Sequence, residues 1–295
     1  SLALWAALGI LYCLLRYVDE KGDGKKYLIR SCVLYFAVCF IHERYLALLP
    51  LIYLAILYKK GKKKAFWFLP AGVFAVVMAI RVLTTGGVAP AGTGGTNVAE
   101  TFSVMTSIRY AIDQVLYIFG INAGPGHLSG ASWTESPSWI HVQIIAADLV
   151  LLVLVILAVI RLIRDKEGRL KYLRDISLFL VFIALCIGAS SVTIRVETRW
   201  IYVSMTAAYL LAAYLYGMIT AKLEHGKVVD IKREARKAAD KKAGRQSAVL
   251  CGGLFLLYII IMFPVENYYR GQYPNLYFWA DQQRYNSLAE ETYGK

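Results

Sequence analysis

The stretch ISLFLVFIALCIGASSVTI, residues 176–194, contains no charged side chain. A helix needs about 20 predominantly apolar residues to cross the hydrocarbon core of a bilayer. Residues 200–221 and 247–265 are also uncharged, and residues 143–160 carry only Asp148. Because such runs recur to the end of the chain, they indicate an integral membrane protein rather than a secretory signal peptide.

The composition agrees with this interpretation. Of the 295 residues, 58% are apolar and the mean hydropathy is positive, whereas a soluble domain is nearer about half apolar and breaks its apolar runs with charge. The predicted fold class is therefore all-α integral membrane, with about eight transmembrane helices at 2–18, 27–41, 45–58, 65–84, 143–163, 176–194, 200–220 and 247–265.

Basic residues predict the orientation of these helices. The net charge is +13, but 25 of the 33 Lys and Arg residues lie in four segments that alternate with the apolar runs, at 16–30, 59–64, 161–175 and 221–246. This is the positive-inside pattern of a multi-pass protein and not a nucleic-acid-binding surface. It places the basic segments in the cytoplasm and both ends of the chain outside the cell membrane.

Residues 27–58 admit two interpretations. One long helix would put the basic segments 16–30 and 59–64 on opposite sides and bury the charged residues of His42–Arg44 in the membrane, which is costly. A hairpin that turns at His42–Arg44 avoids both problems, and it is the interpretation that we adopt.

The longest outer loop, 85–142, contains TFSVMTSIRYAIDQVLYIF between glycine-rich arms. Arg109 and Asp113 pair there at i, i+4, and the spacing of apolar residues predicts an amphipathic helix at the outer interface. Its apolar face consists of Met105, Ile108, Ile112, Val115 and Phe119. We expect one transmembrane domain, 1–265, and an extracytoplasmic segment, 266–295, in a chain that is a fragment cut at both ends.

The first candidate site is His42-Glu43-Arg44, followed by Tyr45, at the outer turn of the hairpin. Consecutive ionisable residues at a membrane edge line a polar cavity or pair with one another. An arginine binds phosphate through several N–H groups, so Arg44 predicts an anionic substrate, with Glu43 or His42 as acid, base or ligand. The alternative is a solvated turn with Tyr45 as an interfacial anchor.

The second candidate site is Arg195-Val196-Glu197-Thr198-Arg199-Trp200, at the outer end of the sixth run. Arg195 and Arg199 share one face of a helix, and two guanidinium groups on one face suit a diphosphate. Glu197 would hold an arginine or approach a substrate hydroxyl. The alternative is that both arginines extend to the lipid headgroups.

Other chemistry finds little support in the sequence. There is no phosphate-binding loop of the Walker type and no nucleophile elbow. The five cysteines lie in apolar runs without metal-ligand spacing, and His127 and His141 are too isolated to predict a zinc site. We therefore expect no metal and no cofactor. Asp148, just inside an apolar run, is the costliest of the remaining outer polar residues to place.

At IHERYLALLP, residues 41–50, and SSVTIRVETRWIYVS, residues 190–204, the chain resembles bacterial polytopic glycosyltransferases of the GT-C type. The resemblance covers the architecture of 1–265 but only some 25 residues of motif. It implies an enzyme that uses a polyprenyl-phosphate-linked sugar on the outer side of the membrane. Enzymes of this type carry a catalytic Asp or Glu in the first outer loop. The chain begins after the place of that loop, so no catalytic base is carried over.

The resemblance implies roles for the candidate residues. Arg44, Arg195 and Arg199 would bind the lipid phosphate, Glu43 or Glu197 would orient them or contact a sugar, and His42 would transfer a proton. Trp133 and Trp139 would stack on sugars or anchor at the interface. The expected partners are membrane lipid, the polyprenyl-phosphate-linked sugar and a glycan acceptor in cell-envelope polysaccharide or surface-glycan synthesis, with no nucleic acid.

Three alternatives remain at this stage. A polysaccharide polymerase or ligase would also use outer arginines. A transporter or flippase of lipid-linked glycans would place polar groups at mid-membrane, often in repeated halves, and the sequence has neither feature. The third alternative is a non-catalytic membrane scaffold for an external C-terminal domain.

Overall fold

The computed structural model of the protein describes residues 2–20, 24–59, 65–87, 103–122, 132–193, 198–220, 253, 256–265, 267–268 and 291. Every regular element in these residues is helical, which confirms the all-α prediction. The α-helices are α1 (Leu2–Asp19), α2 (Lys25–Ile41), α3 (Leu49–Tyr58), α4 (Ala65–Thr85), α5 (Val104–Ile118), α6 (Ser138–Arg164), α7 (Arg169–Ser191), α8 (Thr198–Thr220) and α9 (Leu256–Val265). Short 3₁₀ helices lie at Glu43–Leu48 and Trp133–Glu135.

Five of the described helices are long and apolar enough to cross a membrane: α1, α4, α6, α7 and α8. The other three predicted spans correspond to shorter helices. The 17 residues of α2 and the 10 residues of α3 extend over about 25 Å and about 15 Å at 1.5 Å per residue, and α9 is also short. The count of eight spans therefore stays a prediction.

The chain divides into two compact units. The first comprises Ser1–Ser129 and Leu152–Glu224, and the second comprises Gly130–Leu151 and His225–Lys295. Helices α1–α5, α7 and α8 belong to the first unit, whereas the beginning of α6 and helix α9 belong to the second. All three residues of the first candidate site lie in the first unit.

The first unit has one large apolar core, built from α1–α4, α7, α8 and the 3₁₀ helix Glu43–Leu48. The largest side chains that are fully buried in it include Tyr17, Tyr35, Tyr45 and Phe182. The hydroxyl of Tyr35 donates a hydrogen bond to the carbonyl oxygen of Leu46 at 3.1 Å. Because a buried polar group without a partner is costly, this bond fixes α2 against the segment that follows it.

The break in the helical segment 27–58 falls at the charges where the predicted hairpin turns. Helix α2 ends at Ile41, His42 is extended, and α3 begins at Leu49 with a proline in its first turn. The chain then returns to the end of α1, since the ammonium group of Lys59 donates to the carbonyl oxygens of Tyr17, at 2.8 Å, and Glu20. The interpretation as one long helix is therefore wrong. As a hairpin requires, the chain comes back after the break to the end of α1.

Helix α5 is fixed to α7 by a buried polar cluster. Ser190 donates to the side-chain oxygen of Gln114 at 2.6 Å, and the amide nitrogen of Gln114 donates to the hydroxyl of Ser191 at 2.8 Å. Its apolar face, predicted from Met105 to Phe119, is exposed. Residues Tyr110, Tyr117 and Ile118 instead pack around Ile201 of α8, with Met205.

The second unit contains a smaller apolar cluster. Ile140, Ile144 and Val265 are buried there, with Trp133 beside them. The rings of Trp133 and His141 are stacked with centroids 4.0 Å apart, and the ring nitrogen Nε2 of His141 lies 2.7 Å from the carbonyl oxygen of Trp133. His141 therefore has a structural role in this unit.

Helix α7 offers a matched test of this core. Leu178 is fully buried, whereas Leu180, two residues later, is 52% exposed on a helix that could cross a membrane. We expect Leu178→Ala to lower the free energy of unfolding by about 2–5 kcal/mol, because it leaves a cavity. Leu180→Ala should cost much less, since lipid tails solvate an apolar surface. Thermal unfolding of the purified protein in detergent measures both, and equal losses would contradict this core.

Candidate anion-binding site

The candidate site lies where α2 ends. His42 leaves the helical conformation with φ −157° and ψ 125°, and its ring nitrogen Nδ1 accepts a hydrogen bond from the backbone N–H of Arg44 at 3.5 Å. This contact caps the 3₁₀ helix that begins at Glu43. The local sequence thereby places three consecutive polar side chains at one end of the apolar core.

Glu43 pairs with an arginine from another helix. Its carboxylate oxygen Oε1 lies 2.9 Å from Nη2 of Arg81, which is on α4. The Arg81 side chain is 6% exposed and that of Glu43 is 29% exposed. The contact is an ion pair rather than an aligned hydrogen bond, because among the described residues both Nε and Nη2 of Arg81 lack an acceptor in hydrogen-bond geometry. Arg81 is thus a buried cation paired with a carboxylate that is the more exposed of the two side chains.

Arg44 is held between two aromatic rings. Its Nη2 donates to the hydroxyl of Tyr45 at 2.9 Å, and its guanidinium carbon lies 4.9 Å from the ring centroid of Tyr45 and 5.7 Å from that of Trp200. Such cation–π contacts orient a guanidinium group. Nε and Nη1 of Arg44 are buried and have no hydrogen-bond acceptor within the described part of the chain.

Three elements of the first unit carry buried donors that have no acceptor among the described residues. Besides those of Arg44 and Arg81, they include the indole N–H of Trp200 and the hydroxyl of Ser204, one turn further along α8. Trp200 is 3% exposed and Ser204 is 1% exposed. A buried donor without an acceptor costs about 1–3 kcal/mol, so the arrangement favours a ligand that supplies several acceptor oxygens.

The charge of the site also favours an anion. With His42 neutral, Arg44 and Arg81 contribute two positive charges and Glu43 contributes one negative charge, which leaves a net charge of about +1 at pH 7.

The structure brings together part of each sequence motif. His42 and Arg44 both contact Trp200, the last residue of the second motif, and the ring centroids of His42 and Trp200 are 5.7 Å apart. Arg195 and Glu197 lie outside the described residues, as does the side chain of Arg199. Their predicted roles stay predictions.

Arg81 is a site residue that the sequence motifs do not contain. It is an isolated arginine near the end of the apolar run 65–84, and no neighbouring motif marks it as part of a site. A signal was present, since Arg81 is the only charged residue in the run 65–84 and a charge in an apolar helix requires a partner. That partner, Glu43, is 38 positions away in the chain, and only the folded structure identifies it.

The remaining candidates have partners of their own. Arg109 and Asp113 form the predicted ion pair at 3.9 Å. Within the second unit, Trp133 stacks on His141, and Trp139 contacts Tyr268 edge to face. One face of Trp133 is therefore occupied, which leaves less of that ring for a sugar.

The chain matches no protein-family model, no curated protein and no solved structure. No group of three or more His, Cys, Asp or Glu residues in the described ranges is arranged to hold a metal ion. The donors at the end of α2 are instead those of Arg, Trp and Ser, which bind anions.

A substitution of Glu43 tests the ion pair. Glu43→Gln should lower the free energy of unfolding by about 1–3 kcal/mol, because it leaves Arg81 buried without a counter-charge. Arg81→Met combined with Glu43→Gln should recover most of this loss, since no buried charge is left. Thermal unfolding in detergent measures both variants.

The control for this experiment is Asp19→Asn, at the end of α1. Asp19 pairs with Lys171 at 2.9 Å, and these two side chains are 43% and 52% exposed. Arg174, which is 20% exposed, lies farther from Asp19, at 3.6 Å. Exposed pairs contribute about 0–1 kcal/mol.

If the double variant, Arg81→Met with Glu43→Gln, is less stable than Glu43→Gln alone, the pair of Glu43 and Arg81 is not the source of the stability loss.

Proposed function

We propose that this protein is a membrane glycosyltransferase that uses a polyprenyl-phosphate-linked sugar on the extracytoplasmic side of the membrane. The observation that carries the proposal is the set of buried, unsatisfied donors around Arg44, Arg81 and Trp200. A phosphate group supplies several acceptor oxygens and a negative charge, and arginine is well suited to bind it. The resemblance at 41–50 and 190–204 supports the choice of reaction.

The proposed reaction uses the arginines at the leaving group. An acceptor hydroxyl attacks the anomeric carbon of the sugar, the bond between that carbon and the phosphate oxygen breaks, and polyprenyl phosphate leaves with the electron pair. The acceptor proton passes to a base that we do not assign. Arg44 and Arg81 stabilise the negative charge that develops on the phosphate, which lowers the barrier. Arg195 and Arg199 are proposed as further phosphate ligands.

The architecture in this proposal is that of a multi-pass cell-membrane protein. Five helices can cross a bilayer, and the basic segments between apolar runs support a cytoplasmic position for residues 59–64. The anion-binding site then faces the outer leaflet. Helix α5 supports the same arrangement, since it contacts the ends of α7 and α8 while its apolar face is exposed. We propose that this face lies in the outer lipid interface.

Cysteine labelling tests the orientation. In a background without the five native cysteines, Gly92→Cys should react with a membrane-impermeant maleimide in intact cells, because the predicted outer loop contains it. Gly61→Cys, in the KKGKKK segment, should react only after the cells are permeabilised. Labelling of Gly61→Cys in intact cells would contradict the orientation and the outward position of the site.

Substitution of Arg44 tests the chemistry. Removal of one preorganised donor costs about 10²–10³-fold in rate, so Arg44→Ala should reduce transfer from a polyprenyl-phosphate sugar in membranes by about this factor. Arg44→Lys should retain part of the activity, because the charge remains without the guanidinium geometry. Radiolabelled sugar transferred to the acceptor fraction is the measurement.

Arg109→Ala is the matched control, because Arg109 is on α5 and its side chain is 79% exposed. It should leave transfer near the wild-type rate. If Arg44→Ala and wild type transfer the sugar equally at equal expression, Arg44 does not have the proposed phosphate-binding role. Translocation of the lipid-linked sugar without transfer would indicate a flippase instead.

A further inference from the structure

Helix α6 has an apolar seam along one face. Six aliphatic side chains follow one another at alternating intervals of four and three residues, and each is between 47% and 63% exposed: Ile145, Leu149, Leu152, Ile156, Val159 and Ile163. This spacing is the one at which a helix packs along a second helix. The opposite face of α6 contains Ile140, Ile144 and Ala147, which are buried. The α6 seam is thus the face that the described part of the chain leaves uncovered.

One charged residue lies beside the α6 seam. Asp148 directly precedes Leu149 and is the only charged residue in the run 143–160, on a helix that is long and apolar enough to cross a membrane. At 1.5 Å per residue, it lies about 8 Å inside the N-terminal end of that run. Asp148 is half-buried and forms no ion pair or hydrogen bond with the residues that the structure describes. Such a carboxyl group is costly, because lipid tails offer neither a counter-charge nor a hydrogen-bond donor.

We propose that the α6 seam binds a membrane-spanning helix of a partner protein, and that Asp148 pairs there with a lysine or arginine of that helix. The α6 seam alone does not select a partner, since lipid tails are as apolar as leucine. Asp148 selects it, because a cation inside an apolar helix needs a counter-charge as much as Asp148 does. The inference does not rest on the proposed reaction, since α6 contributes no residue to the candidate anion-binding site.

The position of Asp148 favours a contact between helices. At the spacing of the α6 seam, the residue before Leu149 flanks the contact, where coiled coils place the charges that set partner choice. The other flanking positions in the run 143–160 hold only apolar residues: Ala146, Val153, Val155 and Ile160. A second copy of α6 therefore offers Asp148 no cation. Nor does Arg81, the cation of the run 65–84, since it pairs with Glu43.

Two synthetic peptides test the choice of partner. Each has about 20 leucine and alanine residues, enough to cross a bilayer, and they differ only at one position about 8 Å inside the apolar stretch, which is lysine in one and leucine in the other. Energy transfer from the full-length chain, labelled at its N-terminus, to a labelled peptide in phosphatidylcholine vesicles measures the affinity. Wild type should bind the lysine peptide about three- to thirtyfold more tightly, as interhelical polar contacts in membranes do.

Variants of Asp148 test the carboxylate. Asp148→Leu should bind the two peptides equally, and Asp148→Asn should lose most of the preference, because the charge is gone. Asp113→Asn makes the same change on α5, where the carboxylate pairs with Arg109, and it should keep the preference. Without peptide, Asp148→Leu should not lower the unfolding temperature of the purified chain. A lower temperature would show that the carboxylate has a partner within the chain, which overturns the inference.

A matched pair of tryptophan variants tests the α6 seam. Ile156 is on the seam and Leu157 is not, although the two are exposed to a similar degree, at 49% and 44%. Ile156→Trp should weaken binding of the lysine peptide, because the bulky ring holds the helices apart, whereas Leu157→Trp should bind as wild type does. If both variants bind alike, the α6 seam is not the docking surface.

Two further outcomes also count against the inference. Equal binding of the two peptides by wild type overturns the role of Asp148 in partner choice. Single-molecule photobleaching in the same vesicles, without peptide, counts the copies of the chain in each complex. If wild type dimerises there and Ile156→Trp abolishes the dimer, the occupant of the α6 seam is a second copy, and the partner proposed here is wrong.

Discussion

A charge at the edge of an apolar helical bundle must find a partner, and the ion pair of Glu43 and Arg81 meets that requirement here. Burial of a lone guanidinium group would cost several kcal/mol. The pair places the residue that follows the break in α2 against α4. Arg44 comes next in the chain, so the position of Glu43 also fixes where Arg44 lies against Trp200.

The break itself could be predicted from the sequence, and the pairing could not. Three consecutive polar residues between apolar runs cannot continue a buried helix without a large desolvation cost, which is a local property of residues 42–44. Arg81 shows no local sign that it belongs with Glu43, because the contact depends on how α4 packs against α2. The contact of Trp200 with Arg44 could likewise not be predicted from the sequence, although both residues belong to the two candidate motifs.

The span count shows a second limit of sequence reasoning. An apolar run of 10 to 17 residues has the same composition whether it faces lipid or lies inside a protein core. In α3, Leu51, Ile52, Ala55 and Ile56 are buried in the first unit, so much of the apolar character of that helix is explained by packing. In α7, Leu180 is exposed two residues from the buried Leu178, as expected where one face meets lipid and the other meets protein.

The two ends of the first unit differ in how well their polar groups are satisfied. Near the end of α1, Asp175 accepts hydrogen bonds from Arg174 and from the hydroxyl of Tyr214 at 2.9 Å, and Lys59 donates to two carbonyl oxygens. At the end of α2, donors of Arg44 and Arg81 are buried without an acceptor in the described residues. Stability alone favours the first arrangement at both ends, because each unsatisfied donor is a cost. A protein tolerates such a cost where a ligand supplies the missing acceptors. The i, i+4 pair of Arg161 and Asp165 also leaves donors of its arginine without an acceptor in the described residues, so what distinguishes the candidate site is that Arg44 and Trp200, which contact each other, both carry such donors.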